Sequence, residues 1–500
     1  MFTANSIGRT KKRWGGVRSF VFASCLILFS QAQAQPPDSL WSHIYGRSTY
    51  DPPYDGFGDV VQTADSGFVI VGGTRLDITH ADGWFIKTNS VGDTLWTRTY
   101  GTNLWDGGQR MFVKVRQLAD SGYIIAGMFV QDSIGMLWLV RMNSVGDTLW
   151  SRVYEHREEM FPEGLEMLPD GGFLMAGFGI TWVQGGGDID TLDAWLLRTD
   201  MNGNAMWMRV YDWARAMAFH SLAPTRDGGF ILCGQIRLPD STGGGWLVKI
   251  DAAGDTLWTR GVSSGLGYDD RLFDALQTDD GGFAATGWNP GQLWMVRFDS
   301  AGTELWQRAY GGFGAVGYSI IQARDGGFLV GGKYVDDYDR FWILHTDSNG
   351  TLDWDRMPSL LGIPSADVCK KVLQTADGGI LAAGEVYAYA IRIGVIKYGT
   401  PSGIGAHYPM LPDSFALVPS VFPNPFNGVA TIAWYQIKSG PVTVVVHDVL
   451  GRLVETLTEE PLSPGRHILP FDGRSLSSGS YFISVQTPDD LYRRRVLLLK

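Results

Sequence analysis

Cysteine, histidine and long apolar runs are all scarce in this chain of 500 residues, and each shortage excludes a class of protein. Three cysteines are too few for a disulfide scaffold, and the eight histidines include no His-Glu-x-x-His spacing of a zinc protease. Beyond residue 34 no apolar run is long enough to span a bilayer, so we predict no transmembrane segment in the mature chain. Lysine and arginine total 41 against 52 aspartates and glutamates, which argues against nucleic acid as a partner.

The N-terminus has the parts of an export signal. A basic stretch with Arg9, Lys11 and Arg18 precedes an apolar run at residues 20–29, and Ala32-Gln33-Ala34 offers a cleavage site. We therefore predict that residues 1–34 are a signal peptide.

A unit that occurs seven times fills most of the remaining chain. An Asp-Gly or Asp-Ser-Gly turn recurs at spacings of 45 to 57 residues, with its aspartate at Asp65, Asp120, Asp170, Asp227, Asp280, Asp325 and Asp377. A Trp-x-x-(Lys/Arg) segment and a segment that opens with Leu-Trp follow most of these turns. Short apolar and β-branched runs between Gly, Asp and Asn clusters indicate four strands per unit. The spacing suits the blades of a β-propeller, because radial stacking buries both faces of each sheet.

Every unit has four strands only if the two ends of the array pair with each other. The last unit lacks a Leu-Trp strand, and an orphan strand of that type stands at residues 40–46, before the first unit. We predict an all-β fold with a seven-bladed β-propeller over residues 35–399, closed by this N-terminal strand. Cys233 and Cys369 would then lie in different blades, and we expect two free, buried thiols. Glutamines that recur three residues before the turn are predicted to make structural hydrogen bonds, at Gln62, Gln117, Gln277, Gln322 and Gln374.

One hairpin of the unit adds a resemblance to this pattern. The segment Asp251-x-x-Gly254-x-x-x-Trp258 resembles the tryptophan-docking hairpin of quinoprotein-type propellers. The resemblance implies the propeller fold, and it does not imply the quinone, since that family's vicinal cysteine pair is missing.

The loops at one end of the blades vary in length and composition, and function is expected on that face. Non-repeat aromatic residues collect there, and flat rings beside polar groups suit the binding of a glycan or peptide. These same rings also suit a plain role in packing loops onto blade ends. The ligand-binding candidates are Trp105, Phe161, Trp182, Trp213, Tyr268, Trp288 and Tyr334.

Catalytic and metal candidates are few. The position six residues before each turn aspartate varies between charged and small residues, and we expect it to line the central channel. Asp59 and Asp274 occupy it in two blades and are candidates for an acid and base pair. We predict no cofactor; Ca²⁺ is the one cation considered, at Asp188, Asp190 and Asp193 or at Asp336, Asp337 and Asp339, with solvated acidic loops as the alternative.

The repeats stop near residue 399, and a linker rich in Gly and Pro at residues 400–414 leads to a separate domain at residues 415–500. Alternating apolar positions predict a small immunoglobulin-like β-sandwich with six strands, at residues 430–436, 442–448, 452–457, 467–471, 481–486 and 492–499.

The motifs of this domain, in their order, resemble the type A C-terminal sorting domain of proteins that leave the cell by type IX secretion. The residues that carry the resemblance are Pro423, Asn424, Pro425, Phe426, Asp448, Gly451, Arg452, Gly479, Tyr481 and Lys500. The resemblance implies a Gram-negative bacterium, the type IX machinery and its sorting-domain protease as partners, and release from the cell or attachment to the outer-membrane surface. An ordinary terminal binding module is the alternative.

Taken together, the sequence predicts an exported propeller that binds an extracellular glycan, peptide or protein without catalysis. A secreted polysaccharide hydrolase or lyase that uses Asp59 and Asp274 is the second hypothesis, and a purely structural surface protein is the third.

Overall fold

The computed structural model describes residues 36–498, except for the segments 49–51, 76–80, 102–108, 132–133, 157–158, 183–188, 213, 239–242, 266–269, 337, 362–365, 388–389, 401–419, 423–427, 437–438, 450, 464 and 488–490. Within the described residues the only helix is a 3-10 turn at Gly473–Ser475. The prediction of an all-β protein is confirmed.

Strand β1 (Ser39–Tyr45) is followed by 27 strands, β2 to β28, and these 28 strands together fall into seven groups of four in the described part of the chain. Sheet 1 contains β2 (Asp55–Gln62), β3 (Phe68–Arg75), β4 (Ala81–Thr88) and β5 (Thr94–Tyr100). Sheet 2 contains β6 (Gln109–Gln117), β7 (Tyr123–Gln131), β8 (Ile134–Met142) and β9 (Thr148–Tyr154). Sheet 3 contains β10 (Glu159–Met167), β11 (Phe173–Trp182), β12 (Ile189–Thr199) and β13 (Ala205–Tyr211).

Sheet 4 contains β14 (Ala216–Pro224), β15 (Phe230–Arg237), β16 (Gly243–Ile250) and β17 (Thr256–Val262), and one parallel pairing between Leu192 and Ala216 joins it to sheet 3. Sheet 5 contains β18 (Arg271–Gln277), β19 (Phe283–Asn289), β20 (Gln292–Phe298) and β21 (Glu304–Tyr310). Sheet 6 contains β22 (Val316–Gln322), β23 (Phe328–Val335), β24 (Asp339–Thr346) and β25 (Leu352–Arg356). Sheet 7 contains β26 (Val368–Gln374), β27 (Ile380–Tyr387), β28 (Ile391–Tyr398) and β1.

The first strands of the sheets contact each other in a closed cycle. In the described residues each of β2, β6, β10, β14, β18 and β22 contacts the first strand of the next sheet, and β26 contacts β2. This arrangement is that of a β-propeller, with the first strands innermost around a central channel. The exact number of blades remains the prediction made from the sequence.

The N-terminal strand closes the array as predicted. Strand β1 pairs antiparallel with β28, so residues from the two ends of the repeat region share sheet 7. Two more contacts tie sheet 7 to sheet 1: Arg392 forms an ion pair with buried Asp55 at 2.7 Å, and the amide of Ala376 donates to Gln62 Oε1 at 2.7 Å. Such pairing of first and last segments protects the edges that an open array would expose.

The Asp-Gly turns are fixed by a buried cation. In sheet 4 the carboxylate of Asp227 accepts a hydrogen bond from Gly229 N at 3.1 Å, and Lys249 Nζ from the third strand lies 2.8 Å from it. The cation of the Trp-x-x-(Lys/Arg) segment therefore serves the turn, a link that the sequence analysis missed. The equivalent ion pairs are Lys87–Asp65, Arg141–Asp120, Arg198–Asp170, Arg297–Asp280 and Lys397–Asp377, and in sheet 6 the imidazole of His345 lies 3.0 Å from Asp325.

The recurring glutamines link neighbouring turns. Gln277 donates to the carbonyl of Gly281 in its own turn at 3.2 Å and accepts from Arg226 N in the preceding sheet at 2.8 Å. The predicted structural role of these glutamines is confirmed at the described positions, which make the same link between sheets at Gln117–Ala64, Gln322–Asp279 and Gln62–Ala376.

Tryptophans of the fourth strands join adjacent sheets at the outer edge. A methyl group at Gly254, whose φ is +83°, would lie 2.6 Å from the ring of Trp207 in the preceding sheet, so only glycine leaves room for the indole. The same contact recurs at Trp41–Gly92, Trp96–Gly146, Trp150–Gly203, Trp258–Gly302 and Trp306–Gly350. These contacts agree with the resemblance to tryptophan-docking hairpins. Cys233 and Cys369 are both buried and free.

The C-terminal strands form two sheets. One contains β29 (Ser420–Phe422), β30 (Val429–Gln436) and β33 (Gly465–Asp472), and the other contains β31 (Gly440–Asp448), β32 (Leu453–Leu462), β34 (Gly479–Gln486) and β35 (Leu491–Leu498). A buried core with Trp434, Val444, Phe471 and Ile483 holds residues of both sheets. The predicted sandwich and its six strands are confirmed within a few residues at each end, and β29 is an addition.

Candidate functional site in the central channel

Every first strand of the propeller carries a β-bulge at the same place, seven residues before the turn aspartate. The residue before each bulge is buried in the packing between sheets, whereas every bulged residue is only partly buried. A bulge re-aims side chains locally and is common next to functional sites. The bulged residues are Gly58, Val113, Glu163, His220, Phe273, Tyr318 and Lys370.

Four of the bulged residues form a row of contacts that follows the order of sheets 4 to 7 around the channel. The ring of His220 lies 5.2 Å from that of Phe273, which lies 5.4 Å from that of Tyr318. Lys370 Nζ stands 5.5 Å from the Tyr318 ring centroid, over its face, and 3.7 Å from Glu385 Oε2. The result is a continuous run of three aromatic rings from sheets 4, 5 and 6 that ends on a cation from sheet 7.

The charges at this level act across the channel. Burial raises the pKa of the Glu163 carboxyl in sheet 3, while Lys114 of sheet 2 and Lys370 of sheet 7 both act to lower it. Sheets 3 and 7 are not neighbours in the cycle, so the charge of Lys370 acts on Glu163 across the region that the first strands enclose. Burial, helped by the charges of Arg271 and Lys114, lowers the pKa of His220 to about 4, and its imidazole is neutral at physiological pH.

Further aromatic residues stand beside this run. The ring of Phe161 stacks on that of Phe178 at 5.0 Å and 12°, and Phe178 meets His220 edge to face at 5.7 Å. The Arg271 guanidinium lies 5.9 Å from the ring of Trp288. Two of the predicted ligand-binding residues, Phe161 and Trp288, therefore lie near the bulged residues. Both side chains are partly buried.

The other predicted aromatic residues have different positions. Tyr334 packs edge to face on Trp342 at 5.3 Å, against the core between sheets 5 and 6. Trp105, Trp213 and Tyr268 lie outside the described residues, as does the side chain of Trp182. A further exposed ring was missed: Phe313, in the connection from β21 to β22, is 87% exposed.

The two carboxylates proposed as an acid and base pair fasten sheets together. Asp59 is buried, and its Oδ2 accepts hydrogen bonds from Val115 N at 3.3 Å and from Arg116 at 3.0 Å in sheet 2. Asp274 makes the equivalent bond to Ile320 N of sheet 6 at 3.0 Å. These bonds favour a structural role, and catalysis at this pair remains a prediction.

Only some of the candidate calcium ligands lie in the described part of the chain. Asp193 is buried in β12, while Asp188 and the side chain of Asp190 lie outside the described residues. At the second site Asp336 pairs with Arg340 at 2.6 Å and Asp339 pairs with Lys333 at 3.0 Å, and Asp337 is not among the described residues. Over the described ranges no group of three or more His, Cys, Asp or Glu side chains is arranged to hold a metal.

In the C-terminal sandwich the motif residues build turns. Asp448 Oδ1 accepts from Arg452 N at 3.0 Å, and its other oxygen pairs with the Arg452 guanidinium at 2.6 Å, around Gly451 at a φ of +77°. Tyr481 donates its hydroxyl hydrogen to the Ser477 carbonyl at 2.9 Å. Gly479 opens β34, and Pro423, Asn424, Pro425, Phe426 and Lys500 lie outside the described residues.

The family whose sequences match this region is described as "Secretion system C-terminal sorting domain", and the match covers residues 420–498. Residues 420–498 are a C-terminal sorting domain. The sorting domain indicates export by the type IX secretion system, and the protein is therefore secreted or displayed on the cell surface. No helix in the described part of the chain is both long and apolar enough to cross a membrane.

Similarity to other proteins is otherwise remote. No curated protein matched the chain. Among solved structures, Sqt1 from Chaetomium thermophilum is 12% identical with a TM-score of 0.42, covering 73% of this chain and 99% of Sqt1. Drosophila Semaphorin 2a is 8% identical with a TM-score of 0.44, over 93% and 98% of the two chains. Puromycin hydrolase is 13% identical with a TM-score of 0.44, over 77% of this chain and 59% of the hydrolase. At these values the likenesses carry no argument about activity.

The sequence analysis assigned the channel lining to the position six residues before each turn aspartate, which is one residue after the bulged position. It singled out Asp59 and Asp274, which follow the bulges, whereas the bulged residues themselves form the run of rings and charges. Alternation along a regular strand gives no warning of a bulge. The available signal was a second variable position, seven residues before each turn aspartate, that directly follows a mostly apolar one.

Proposed function

We propose that this protein is an exported, non-catalytic binding module, and that its extracellular ligand, a glycan, peptide or protein, occupies the variable-loop end of the propeller. The supporting observation is the partly buried aromatic cluster of Phe161, Phe178, His220, Phe273 and Tyr318, whose rings contact one another at the channel. Rings held on paired strands of a closed array are rigid, so little conformational entropy is lost when a ligand settles on them.

Export is proposed to follow the usual route of type IX cargo. Residues 1–34 direct the chain to the periplasm and are removed, the secretion machinery takes the folded cargo across the outer membrane, and its protease removes the sorting domain. The mature propeller then acts at the outer surface of a Gram-negative bacterium or free in the medium.

The binding proposal is tested with the secreted, processed protein on glycan and peptide arrays, with mass spectrometry of any ligand that is retained. We expect retention of an unmodified ligand, and weaker retention by Phe161→Ala and Trp288→Ala variants. Leu305→Ala is the control, since Leu305 is 57% exposed on a fourth strand at the outer edge. No retained ligand in any class would contradict the binding function and favour the structural hypothesis.

New products would instead favour the hydrolase or lyase hypothesis. In that case Asp59→Asn and Asp274→Asn should abolish turnover if these carboxylates are the acid and base. Because both also bond to neighbouring sheets, each variant needs a melting curve beside the rate measurement.

A further inference from the structure

We propose that the channel mouth binds an acidic glycan, with uronic acid rings against the run of His220, Phe273 and Tyr318 and their carboxylates on Lys114, Arg271 and Lys370. This inference rests on the proposed binding function and names its ligand class. The site is built from bulged residues and their immediate neighbours in five different sheets, and no single repeat contains it.

The first argument is the shape of the aromatic run. His220, Phe273 and Tyr318 come from consecutive first strands, with ring centroids 5.2 Å and 5.4 Å apart, and all three retain exposure to solvent. A pyranose ring presents a flat face of C–H groups that can lie on such rings. Three contiguous rings therefore offer room for more than one sugar unit.

The second argument concerns Lys114. It stands at the position where Asp59 and Asp274 accept a hydrogen bond from the amide of the next sheet. A lysine ammonium has no acceptor and cannot make that bond. Instead Lys114 is half-exposed and close enough to Glu163 and His220 for its charge to act on both.

The third argument is the local balance of charge. The chain as a whole carries a net charge of −11, yet Lys370 stands over the ring of Tyr318 and Arg271 precedes Phe273 by two residues on the same strand. The charge of Lys114 acts on both Glu163 and His220. Arg271 is exposed and lies beside Trp288, and Lys370 shares its charge with Glu385 at 3.7 Å. The imidazole of His220 is neutral at physiological pH and adds no charge to this balance.

Rings and cations together favour a sugar acid over an acidic peptide. The acidic residues of a peptide carry their carboxylates on flexible arms, and these residues have no flat apolar face to place on three adjoining rings. A uronate has both features in one unit, so each sugar can use a ring and a cation at once.

The test is titration calorimetry of the processed protein with oligogalacturonate. Its matched probe is the same oligosaccharide with methyl-esterified carboxyls, and oligoglutamate supplies the carboxylates without sugar rings. We expect binding of oligogalacturonate, with affinity at least about tenfold lower for each of the other two probes. Equal affinity for the methyl ester would overturn the role of the cations, and equal affinity for oligoglutamate would overturn the choice of a glycan.

Variants locate the site. Lys114→Gln and Arg271→Gln should each weaken oligogalacturonate binding about tenfold, and Phe273→Ala should weaken it without changing the response to salt. Arg260→Gln removes one exposed cation from the outer strand β17 and should leave affinity unchanged. Retained affinity in the Lys114 and Arg271 variants would place the ligand elsewhere. If arrays reveal only neutral glycans or neutral peptides, this inference fails while the binding function stands.

Discussion

The two ends of each first strand differ in what they hold constant. At the turn end, an aspartate, a cation and in most sheets a glutamine repeat the same hydrogen bonds around the array. At the bulge end, the seven sheets place glycine, valine, glutamate, histidine, phenylalanine, tyrosine and lysine at one equivalent position. The turn end carries contacts that every sheet needs for stacking, whereas the bulged residue itself is free of that demand. A repeat protein can carry functional side chains at such positions without weakening the contacts between its repeats.

The largest effect should come from opening the ring. Deletion of residues 39–45 removes the strand that pairs with β28 and exposes the edge of sheet 7. We expect the melting temperature of the propeller to fall by about 10 °C or more. Trp41→Ala is the comparison, because it keeps the pairing and removes the ring that contacts Gly92 and Phe68 of sheet 1. A deletion variant that melts with the parent protein would contradict closure by β1.

Acid should weaken the turn end of the array. Paired cations and hydrogen bonds hold the pKa of Asp227 and of Asp280 down to about 2, below the unfolded value near 3.9. Their stabilisation is therefore present above about pH 4 and is lost as the pH falls toward 2. Thermal melts between pH 5 and 2 should show this decline, and it should shrink in Lys249→Met, which removes the partner of Asp227. A decline of equal size in that variant would contradict the assignment.

Two glycine substitutions separate the contribution of tryptophan packing to stability from the cost of backbone strain. Gly254 and Gly228 lie in the same sheet with φ of +83° and +81°, but only Gly254 faces an indole, while nothing lies within 4 Å of a methyl group at Gly228. We expect Gly254→Ala to cost about 2–4 kcal/mol of unfolding free energy and Gly228→Ala about 1 kcal/mol. Denaturant melts measure both. Equal losses would show that strain alone decides.

The smallest effect concerns one sheet that breaks the repeat. Trp195 has a buried indole N–H with no acceptor in the described part of the chain, whereas its counterpart Trp246 donates to Thr259 at 2.6 Å. Met208 occupies the position of that threonine. We expect the Met208→Thr variant to have a free energy of unfolding about 1–2 kcal/mol higher than the Met208→Val variant. Threonine and valine have nearly the same shape, and only threonine offers an acceptor to the indole N–H. Equal denaturation midpoints would mean that the indole is satisfied in another way.

Much of the fold was predictable because the stacking contacts recur. A tryptophan that must fit a glycine of the next sheet, as Trp207 fits Gly254, has to appear in nearly every unit, and periodicity exposes it. The sorting domain was predictable for a similar reason, since turns such as Asp448-x-x-Gly451-Arg452 need particular residues. The candidate site gave no such signal. Its residues differ from unit to unit and lie far apart in the sequence, as do Lys114 and Lys370.

The sequence by itself determined the all-β class, the repeated four-stranded sheets, the closing N-terminal strand and the sorting domain, because each depends on local patterns of turns, apolar alternation and fixed motifs. Only the tertiary structure decided which variable residues meet. A bulge shifts the strand by one residue, and ring closure places Glu163 of sheet 3 within reach of Lys370 of sheet 7. Both effects arise from packing between sheets, which no single repeat encodes.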